Sequence, residues 1–225
     1  HFDDGYFNNI NLIPVLEQFN IYANFFVVTE NIINKEKFWW DFLLNKYQHK
    51  NNAYLKEISF LKNQDFSKIK NFIIKKYGIN SLNPLSDIDR PFTKDELIDF
   101  NQNKYVTIGN HTSDHSNLNS IDEKARKLKI LKAEKDLESI LGYSSKIFSF
   151  PNSKSSSSSQ ILLNEMKFNY AISENFKNYN LNKIHPSQYF RFGRYCFLKN
   201  KNIDWQIQMC TSKFSLYIKM LNLIS

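Results

Sequence analysis

A chain of 225 residues with 42% hydrophobic side chains is long enough to bury one sizeable core, and we expect a single domain over residues 1–225. Its formal net charge of +8 comes from lysines spread through the sequence, without a basic and aromatic recognition motif, so we expect a solvated basic surface and no nucleic-acid partner. No run of about 20 apolar residues predicts a membrane span, and Cys196 and Cys210 match no metal or redox spacing.

Two adjacent carboxylates precede a glycine at the start of the chain, in the segment His1-Phe2-Asp3-Asp4-Gly5-Tyr6. Successive strand residues point to opposite faces, but the backbone turns where a strand ends, and Gly5 permits such a turn. Both carboxylates can then face one cleft, where they suit a metal site and a general base. The alternative is a plain turn, because Asp and Gly are common turn formers.

The elements that follow indicate an α/β fold. Apolar residues at helical spacing predict an amphipathic helix over residues 8–19, and an apolar run predicts a buried strand over residues 21–28. A strand, a helix and a strand in succession favour a parallel sheet with crossover helices.

Residues 30–91 have a helical pattern rich in lysine and asparagine, which we interpret as a helical insertion after the second strand. Two adjacent tryptophans, Trp39 and Trp40, lie near its start. Adjacent residues of a helix face different directions. We therefore expect core packing for these side chains, with a substrate-facing role for one of them as the alternative.

A second group of candidate ligands follows the next predicted strand. Thr93 and Glu96 have the spacing of a capping box and predict a helix over residues 94–101, which precedes a strand-like run from Val106. His111 and His115 come directly after that run. Two histidines four residues apart are often incidental, but their position after a strand, like that of the aspartates, predicts one Asp/His/His set.

Such a set suits a catalytic metal ion. Zn²⁺ binds imidazole nitrogen and carboxylate oxygen, and a catalytic zinc needs only three protein ligands, which leaves a position for water. The ion lowers the pKa of that water towards ~7 and polarises a carbonyl oxygen. The second carboxylate of the pair would then act as the general base.

The rest of the chain continues the alternation of helices and strands. Ser120 and Glu123 have capping-box spacing and predict the start of a helix that ends at Gly142, with Arg126 on its solvated face. Strands are predicted over residues 146–150, 170–173 and 189–198, and a terminal helix is predicted from residue 204. The serines over residues 155–159 lack the glycines of a nucleophile elbow, so they predict a loop and a helix start.

The candidate residues resemble the motifs of a known family. Residues 1–6 resemble the first motif, T-F-D-D-G-Y, of the polysaccharide deacetylases, which form carbohydrate esterase family 4 and share the nodulation-type chitooligosaccharide deacetylase homology domain. Residues 111–115 are similar to the second motif, H-[ST]-x-x-H, and residues 148–153 to a divergent third motif. The resemblance implies a distorted (β/α) barrel of the polysaccharide deacetylase type, in the subset that carries a helical insertion over 30–91.

The resemblance also implies roles for individual residues. Asp4, His111 and His115 would hold Zn²⁺ or another divalent metal such as Co²⁺ or Ni²⁺, and Asp3 would take a proton from the attacking water. The backbone amide near Asn152, after the proline of the third motif, would help to hold the oxyanion.

The third-motif arginine and the late general acid are the two parts of the family pattern from which this sequence departs. Ser149 replaces the third-motif arginine that supports the base. Arg194 resembles a late arginine of the insertion-bearing subset and would pair with Asp3 or with the substrate, with a structural salt bridge as the alternative. His185 is the late candidate for the family's general acid, although its Ile-His-Pro context is also typical of a surface loop.

The implied function is that of a metal-dependent hydrolase that removes an acetyl group from an N-acetylated amino sugar of a surface or cell-wall polysaccharide. The partner would be an acetylated glycan. The alternatives are a non-catalytic glycan-binding member of the same fold and an amidase that acts on small amides. Because the chain begins inside the first motif, we expect a segment upstream of it. The sequence leaves the location open between the bacterial cytoplasm and the cell envelope.

Overall fold

The computed structural model describes residues 1–48, 50–62, 64–173, 190–197 and 201–211. Five strands form one parallel sheet, in which their order follows the sequence. The strands are β1 (Ala23–Val27), β2 (Val106–Asn110), β3 (Ile147–Ser149), β4 (Tyr170–Ser173) and β5 (Phe190–Gly193). This arrangement confirms the predicted α/β class with a parallel sheet.

Nine α-helices lie within the described residues. They are α1 (Ile13–Phe19), α2 (Thr29–Asn34), α3 (Trp39–Tyr47), α4 (Asn52–Leu61), α5 (Phe66–Tyr77), α6 (Lys94–Asn101), α7 (Glu123–Leu141), α8 (Ser157–Glu165) and α9 (Ile203–Thr211). None of the helices in this part of the chain has the length and apolar character needed to cross a membrane.

The first predicted helix begins later than residue 8, because Pro14 limits it. Residues Phe7–Leu12 form a 3-10 turn, and α1 starts only at Ile13. A proline inside an α-helix removes one hydrogen bond and clashes with the preceding turn, whereas a proline in the first turn is tolerated. The α-helix therefore starts where Pro14 falls in its first turn.

The start of the chain runs beside β1 and brings its carboxylates to the end of that strand. Phe2 forms a parallel bridge with Phe25, and the Val28 amide donates a hydrogen bond to the Asp4 carbonyl (3.2 Å). In the sheet, Val27 is paired with Asn110 at the end of β2. The aspartates and the residue after Asn110 consequently meet at one edge of the sheet.

The helices α2 to α5 leave the sheet and return to the same place. Helices α3 to α5 enclose a cluster of apolar side chains, which includes Leu43, Leu61 and Ile73. Where the chain returns, the Phe92 amide donates to the Gly5 carbonyl (3.2 Å). Gly5 follows Asp4, whose carbonyl accepts from Val28 at the start of the excursion. We propose that residues 30–91 are an insertion into one sheet domain, as the sequence pattern predicts.

The helix start at Thr93 is confirmed, and the one at Ser120 is wrong. Thr93 accepts a hydrogen bond from the Glu96 amide, and the Glu96 side chain accepts one from the Thr93 amide. At α7, Asp122 is the N-cap residue and accepts from the Ala125 amide (2.8 Å). Ser120 cannot cap this helix because it closes a separate 3-10 turn, Leu118–Ser120.

Arg126 does not lie on a solvated face, as its sequence context predicted. Its side chain is buried, and its guanidinium donates to the carbonyls of Leu118 (2.9 Å) and Ile121 (3.1 Å) and to the Ser158 hydroxyl (2.8 Å). Those carbonyls become available because the chain turns at residues 118–121. Arg126 thereby fixes the loop between the candidate histidines and α7.

Gly5 lies where a side chain would be both strained and crowded. Its φ is +84°, and an added Cβ would lie 2.9 Å from two side-chain atoms of Val27. We expect Gly5→Ala to lower the free energy of unfolding by about 2–4 kcal/mol, because left-handed strain and overpacking add. Gly142→Ala is the matched control: Gly142 also has a positive φ (+81°) but an added Cβ there has nothing within 4 Å. Equal losses in urea denaturation would show that contact with Val27 is unimportant.

Candidate metal centre

Three side chains from distant parts of the sequence come together at this edge of the sheet. Ligand atoms of Asp4, His111 and His115 all lie within 4.8 Å of one another. The Asp4 Oδ1 atom is 3.5 Å from His111 Nε2 and 3.4 Å from His115 Nε2. The predicted Asp/His/His set is therefore a cluster in space.

The end of β2 orients the two histidines. The His111 amide donates to the Val27 carbonyl (3.1 Å), and its ring Nδ1 lies 2.8 Å from the Ser149 carbonyl. That contact assigns the ring proton to Nδ1, since a carbonyl can only accept, and it leaves Nε2 to face Asp4. His115 follows with a φ of +57°, which turns the chain back towards the same point.

Asn110 holds the loop that carries the histidines. Its amide nitrogen donates to the Ile130 carbonyl (3.1 Å) and to Glu134 (2.8 Å), while its oxygen accepts from the Thr112 amide (2.8 Å). Asn110 and its three partner residues are all buried. The residue thus ties the end of β2 to α7 and sets the path of the loop.

Two atoms of the cluster, Asp4 Oδ1 and His111 Nε2, are buried and have no hydrogen-bond partner among the residues that the structure describes. Buried polar atoms are rarely left unsatisfied, so such a pair needs an explanation. A carboxylate oxygen and two imidazole nitrogens are a donor set that zinc and similar divalent ions accept. The residues therefore fit a divalent metal ion.

The electrostatics of the cluster favour a cation between the three side chains. Burial lowers the pKa of His115 to about 4, so this ring is neutral at physiological pH, the form in which histidine binds a metal. Burial also acts to lower the pKa of His111, but the carboxylates of Asp3 and Asp4 outweigh it and raise that pKa above its ordinary value. The negative potential that favours a proton on His111 favours a metal cation as well.

Asp3 lies beside the cluster and is held by other groups. The Arg194 guanidinium donates to both of its oxygens, at 2.8 Å for the Nη1 to Oδ1 bond, and the Ser149 hydroxyl donates to Oδ1 (3.1 Å). Burial raises the pKa of Asp3, but His111, Arg194 and Ser149 outweigh it and lower the pKa below its usual range. Asp3 is therefore ionised at neutral pH.

Arg194 follows β5 directly. Its contact is with Asp3, which is one of the two partners predicted for it. Its Nη2 atom also donates to the Ser153 hydroxyl (2.8 Å). Ser149, which replaces the expected third-motif arginine, contacts the same carboxylate. Within the described residues, the guanidinium that contacts Asp3 thus belongs to Arg194, which follows β5, and not to a third-motif residue.

Asn152 lies in a tight turn after β3. Its φ is +55°, and the amides on its C-terminal side, of Ser153 and Lys154, donate to the carbonyls of Phe150 and Pro151. The Asn152 amide has no hydrogen-bond partner in the described part of the chain. Asn152 also lines the cavity above the cluster. An unpaired amide at this place is available to a ligand oxygen.

The cavity has a volume of about 340 Å³, and one of its walls comes from the predicted insertion. Both tryptophans line it: Trp39 is mostly buried and Trp40 is half-buried, with its ring centroid 4.8 Å from that of His115. Sequence reasoning missed the rest of this wall, namely Ile58, Lys62, Gln64, Phe66 and Ile69. Their helical periodicity indicates buried faces, but no local pattern shows which cavity a face borders.

A charged contact joins this wall to the histidine loop. The Lys129 ammonium pairs with Asp114, which lies between the two histidines in the sequence, and is 3.7 Å from Asp65, the N-cap residue of α5. Sequence reasoning did not identify this contact. His185, the predicted general acid, lies outside the described residues.

Comparison with known proteins places this site in a family. A sequence model described as polysaccharide deacetylase matches residues 1–171, which is most of the chain and includes Asp3, Asp4 and both histidines. No curated protein is similar enough in sequence to match.

Solved structures share the fold at low sequence identity. Deacetylase PplD from Streptococcus pyogenes, in complex with acetate, is 11% identical with a TM-score of 0.56, over 94% of this chain and 69% of that one. BC0361, a polysaccharide deacetylase from Bacillus cereus, is 12% identical with a TM-score of 0.51, over 85% of this chain and 45% of that one. A de-N-acetylase from Aggregatibacter actinomycetemcomitans is 16% identical with a TM-score of 0.55, over 93% and 72%.

These likenesses confirm the predicted barrel-type α/β fold, although the chain spans less than half the length of BC0361. The region matched by the family model contains the whole Asp4, His111 and His115 cluster. The chain belongs to the polysaccharide deacetylase family.

Proposed function

We propose that the protein is a metal-dependent hydrolase that removes the acetyl group from an N-acetylated amino sugar of a surface or cell-wall polysaccharide. Family membership supports deacetylation of a polysaccharide. The observation that carries the finer proposal is the Asp4, His111 and His115 cluster with an ionised Asp3 beside it. Three ligands for a metal ion with a separate base beside them form an arrangement that is able to hydrolyse an amide.

Asp4, His111 and His115 would hold the metal, and we propose Zn²⁺, with Co²⁺ or Ni²⁺ as substitutes that accept the same nitrogen and oxygen ligands. When bound, such an ion polarises the acetyl carbonyl and makes a nearby water more acidic. The Nδ1 contact of His111 with the Ser149 carbonyl keeps its ring in the orientation needed for binding.

Asp3 would take the proton from the attacking water. Its contacts with Arg194 and Ser149 keep it ionised and fix its position next to the cluster. Arg194 would act as a positioning residue, because it holds Asp3 through two hydrogen bonds. The water oxygen attacks the acetyl carbon, and the C–N bond then breaks to give acetate and a free amine.

The Asn152 amide would donate a hydrogen bond to the oxyanion that forms during the attack. Preorganised backbone donors of this kind stabilise a tetrahedral intermediate, and a change of side chain does not remove them. The exposed position of Asn152 on the cavity and its unpaired amide support this role. Protonation of the leaving nitrogen by His185 stays a prediction.

Acetate release from N-acetylglucosamine oligosaccharides tests the proposed function. We expect release by the protein loaded with Zn²⁺, loss of release after treatment with a chelator, and recovery when Zn²⁺, Co²⁺ or Ni²⁺ is added, because Asp4, His111 and His115 converge as a ligand set that these ions accept. Acetate can be measured with a coupled enzymatic assay. A protein that binds the metal but releases no acetate from any N-acetylated oligosaccharide would contradict the proposal.

The position of Arg194 favours this function over a non-catalytic glycan-binding protein. Loss of the third-motif arginine at Ser149 motivates that alternative, but the guanidinium of Arg194 lies where Asp3 needs a partner. A small-amide hydrolase would use the same groups. Comparison of sugars with small amides in the same assay distinguishes the two activities.

A further inference from the structure

A continuous apolar surface starts at the metal centre and extends into the insertion. Trp40 contacts the His115 ring and packs edge-on against Trp39, at a ring-centroid distance of 5.6 Å. Trp39 and Ile69 belong to the same apolar cluster, and Ile58 packs against that cluster. All four of these insertion side chains line the cavity.

The orientation of Trp40 is fixed by a chain of hydrogen bonds. Its indole Nε1 donates to the Tyr6 hydroxyl (3.0 Å), and that hydroxyl donates to Asp41 (2.5 Å). The indole also stacks on Phe38, with a centroid distance of 4.5 Å and an angle of 14°. The surface next to His115 is therefore a preformed wall.

The polar and apolar side chains that the insertion contributes to the cavity differ in exposure. Lys62 and Gln64 are exposed, whereas Trp39 and Ile69 are buried. A sugar ring carries several hydroxyls, and each loses affinity if it is buried without a hydrogen-bond partner. The exposed part of the insertion wall therefore suits the sugar, and its buried apolar part suits a hydrocarbon group.

We propose that the apolar wall binds the acyl chain of the substrate, and that the enzyme prefers N-acyl groups longer than acetyl, such as butyryl or hexanoyl, on an amino sugar. This inference rests on the proposed function. The wall begins at His115 itself, so the substituent that reaches it is the one attached directly to the carbonyl carbon at the metal centre. An apolar group beyond the sugar would be separated from His115 by the ring.

The reaction is the same hydrolysis with a larger acid as product. Water is the co-reactant, and its oxygen bonds to the acyl carbon. The C–N bond breaks with its electron pair on nitrogen, which takes a proton. The products are the carboxylic acid and the free amino sugar, so neither an oxidant nor a further group donor is needed.

Kinetics on a series of glucosamine oligosaccharides that carry N-linked acetyl, butyryl or hexanoyl groups test the preference. Each methylene that the wall buries should raise kcat/KM about fourfold. We expect the ratio of kcat/KM for butyryl over acetyl to be on the order of tenfold in the unaltered protein. Slower release of butyryl and hexanoyl than of acetyl would overturn this inference and leave the proposed function intact.

Two tryptophan substitutions on α4 localise the effect. Ile58→Trp fills the cavity from a half-buried position, whereas Leu55→Trp makes the same kind of change on an exposed position of the same helix. We expect the butyryl-to-acetyl ratio to fall to about one or below in I58W, since the methylenes lose their contact, and to keep its original value in L55W. Equal ratios in the two variants would overturn the placement of the acyl chain.

Binding of the product acids gives a measurement that does not depend on turnover. Acetate, butyrate and hexanoate can be titrated into the metal-loaded protein while tryptophan fluorescence is recorded. We expect the Kd to decrease about fourfold per methylene. A Kd that does not change with chain length would overturn the inference. Failure to release any acyl group in the kinetic series would overturn the proposed function, and this inference with it.

Discussion

Asp3→Asn is expected to lower kcat/KM for acetate release by roughly 10²- to 10⁴-fold, the usual contribution of a general base. Asparagine has the same shape but cannot accept a proton from water at neutral pH. The three ligand side chains are not altered, so we expect the variant to bind Zn²⁺ at the same stoichiometry. The measurement is acetate release together with metal content after gel filtration.

Asp95→Asn is a suitable control for this variant, because Asp95 is an exposed residue in the first turn of α6, away from the cavity. It should keep full activity. An Asp3→Asn protein that releases acetate at the original rate would remove Asp3 from the mechanism. Loss of metal together with activity would show instead that Asp3 is a ligand.

His111→Ala is expected to weaken binding of Zn²⁺ by more than about a hundredfold, because loss of a ligand exceeds the effect of losing a group that only orients one. Its Nε2 atom is one of the three converging ligand atoms. A ligand that binds only the folded state raises stability, by about 2.7 kcal/mol at a hundred times its Kd. Zn²⁺ should therefore raise the melting temperature of the unaltered protein and leave that of the variant unchanged.

Asp114→Asn is the matched control for the histidine variant. Asp114 lies in the same loop, but its carboxylate pairs with Lys129 and is not one of the three converging ligands. The melting temperature of Asp114→Asn should still rise with Zn²⁺. The melting temperatures of the metal-free proteins are compared in the presence of chelator. A His111→Ala protein that Zn²⁺ stabilises as strongly as this control would contradict the proposed ligand set. Circular dichroism checks that both variants are folded.

Local signals allowed much of the fold to be predicted. The capping box at Thr93 and the strand at Tyr170 are confirmed, because each depends on residues within a few positions. The predicted start of α7 was wrong because Ser120 and Asp122 are both residue types that suit an N-cap. The choice between them depends on a 3-10 turn that is closed by contacts of Leu118 and Arg126.

The candidate site was predictable in part for a related reason. Parallel strands end at one edge of a sheet, so residues that follow them meet, and this rule brought Asp4 and His111 together. The apolar wall that includes Ile58 and Ile69 was not predictable, because it depends on how the helices of the insertion pack over that edge. The contact of Arg194 with Asp3 came from resemblance alone, since no local pattern joins residues so far apart.

The two ends of the insertion are anchored to neighbouring residues, through the hydrogen bonds of Val28 with Asp4 and of Phe92 with Gly5. The entropy needed to close a loop increases only with the logarithm of its length, by about 0.6 kcal/mol for each doubling. Evolution can therefore lengthen, shorten or replace the segment between these anchors at little thermodynamic cost to the sheet. Substrate choice can diversify in this way while the ligand geometry is inherited unchanged.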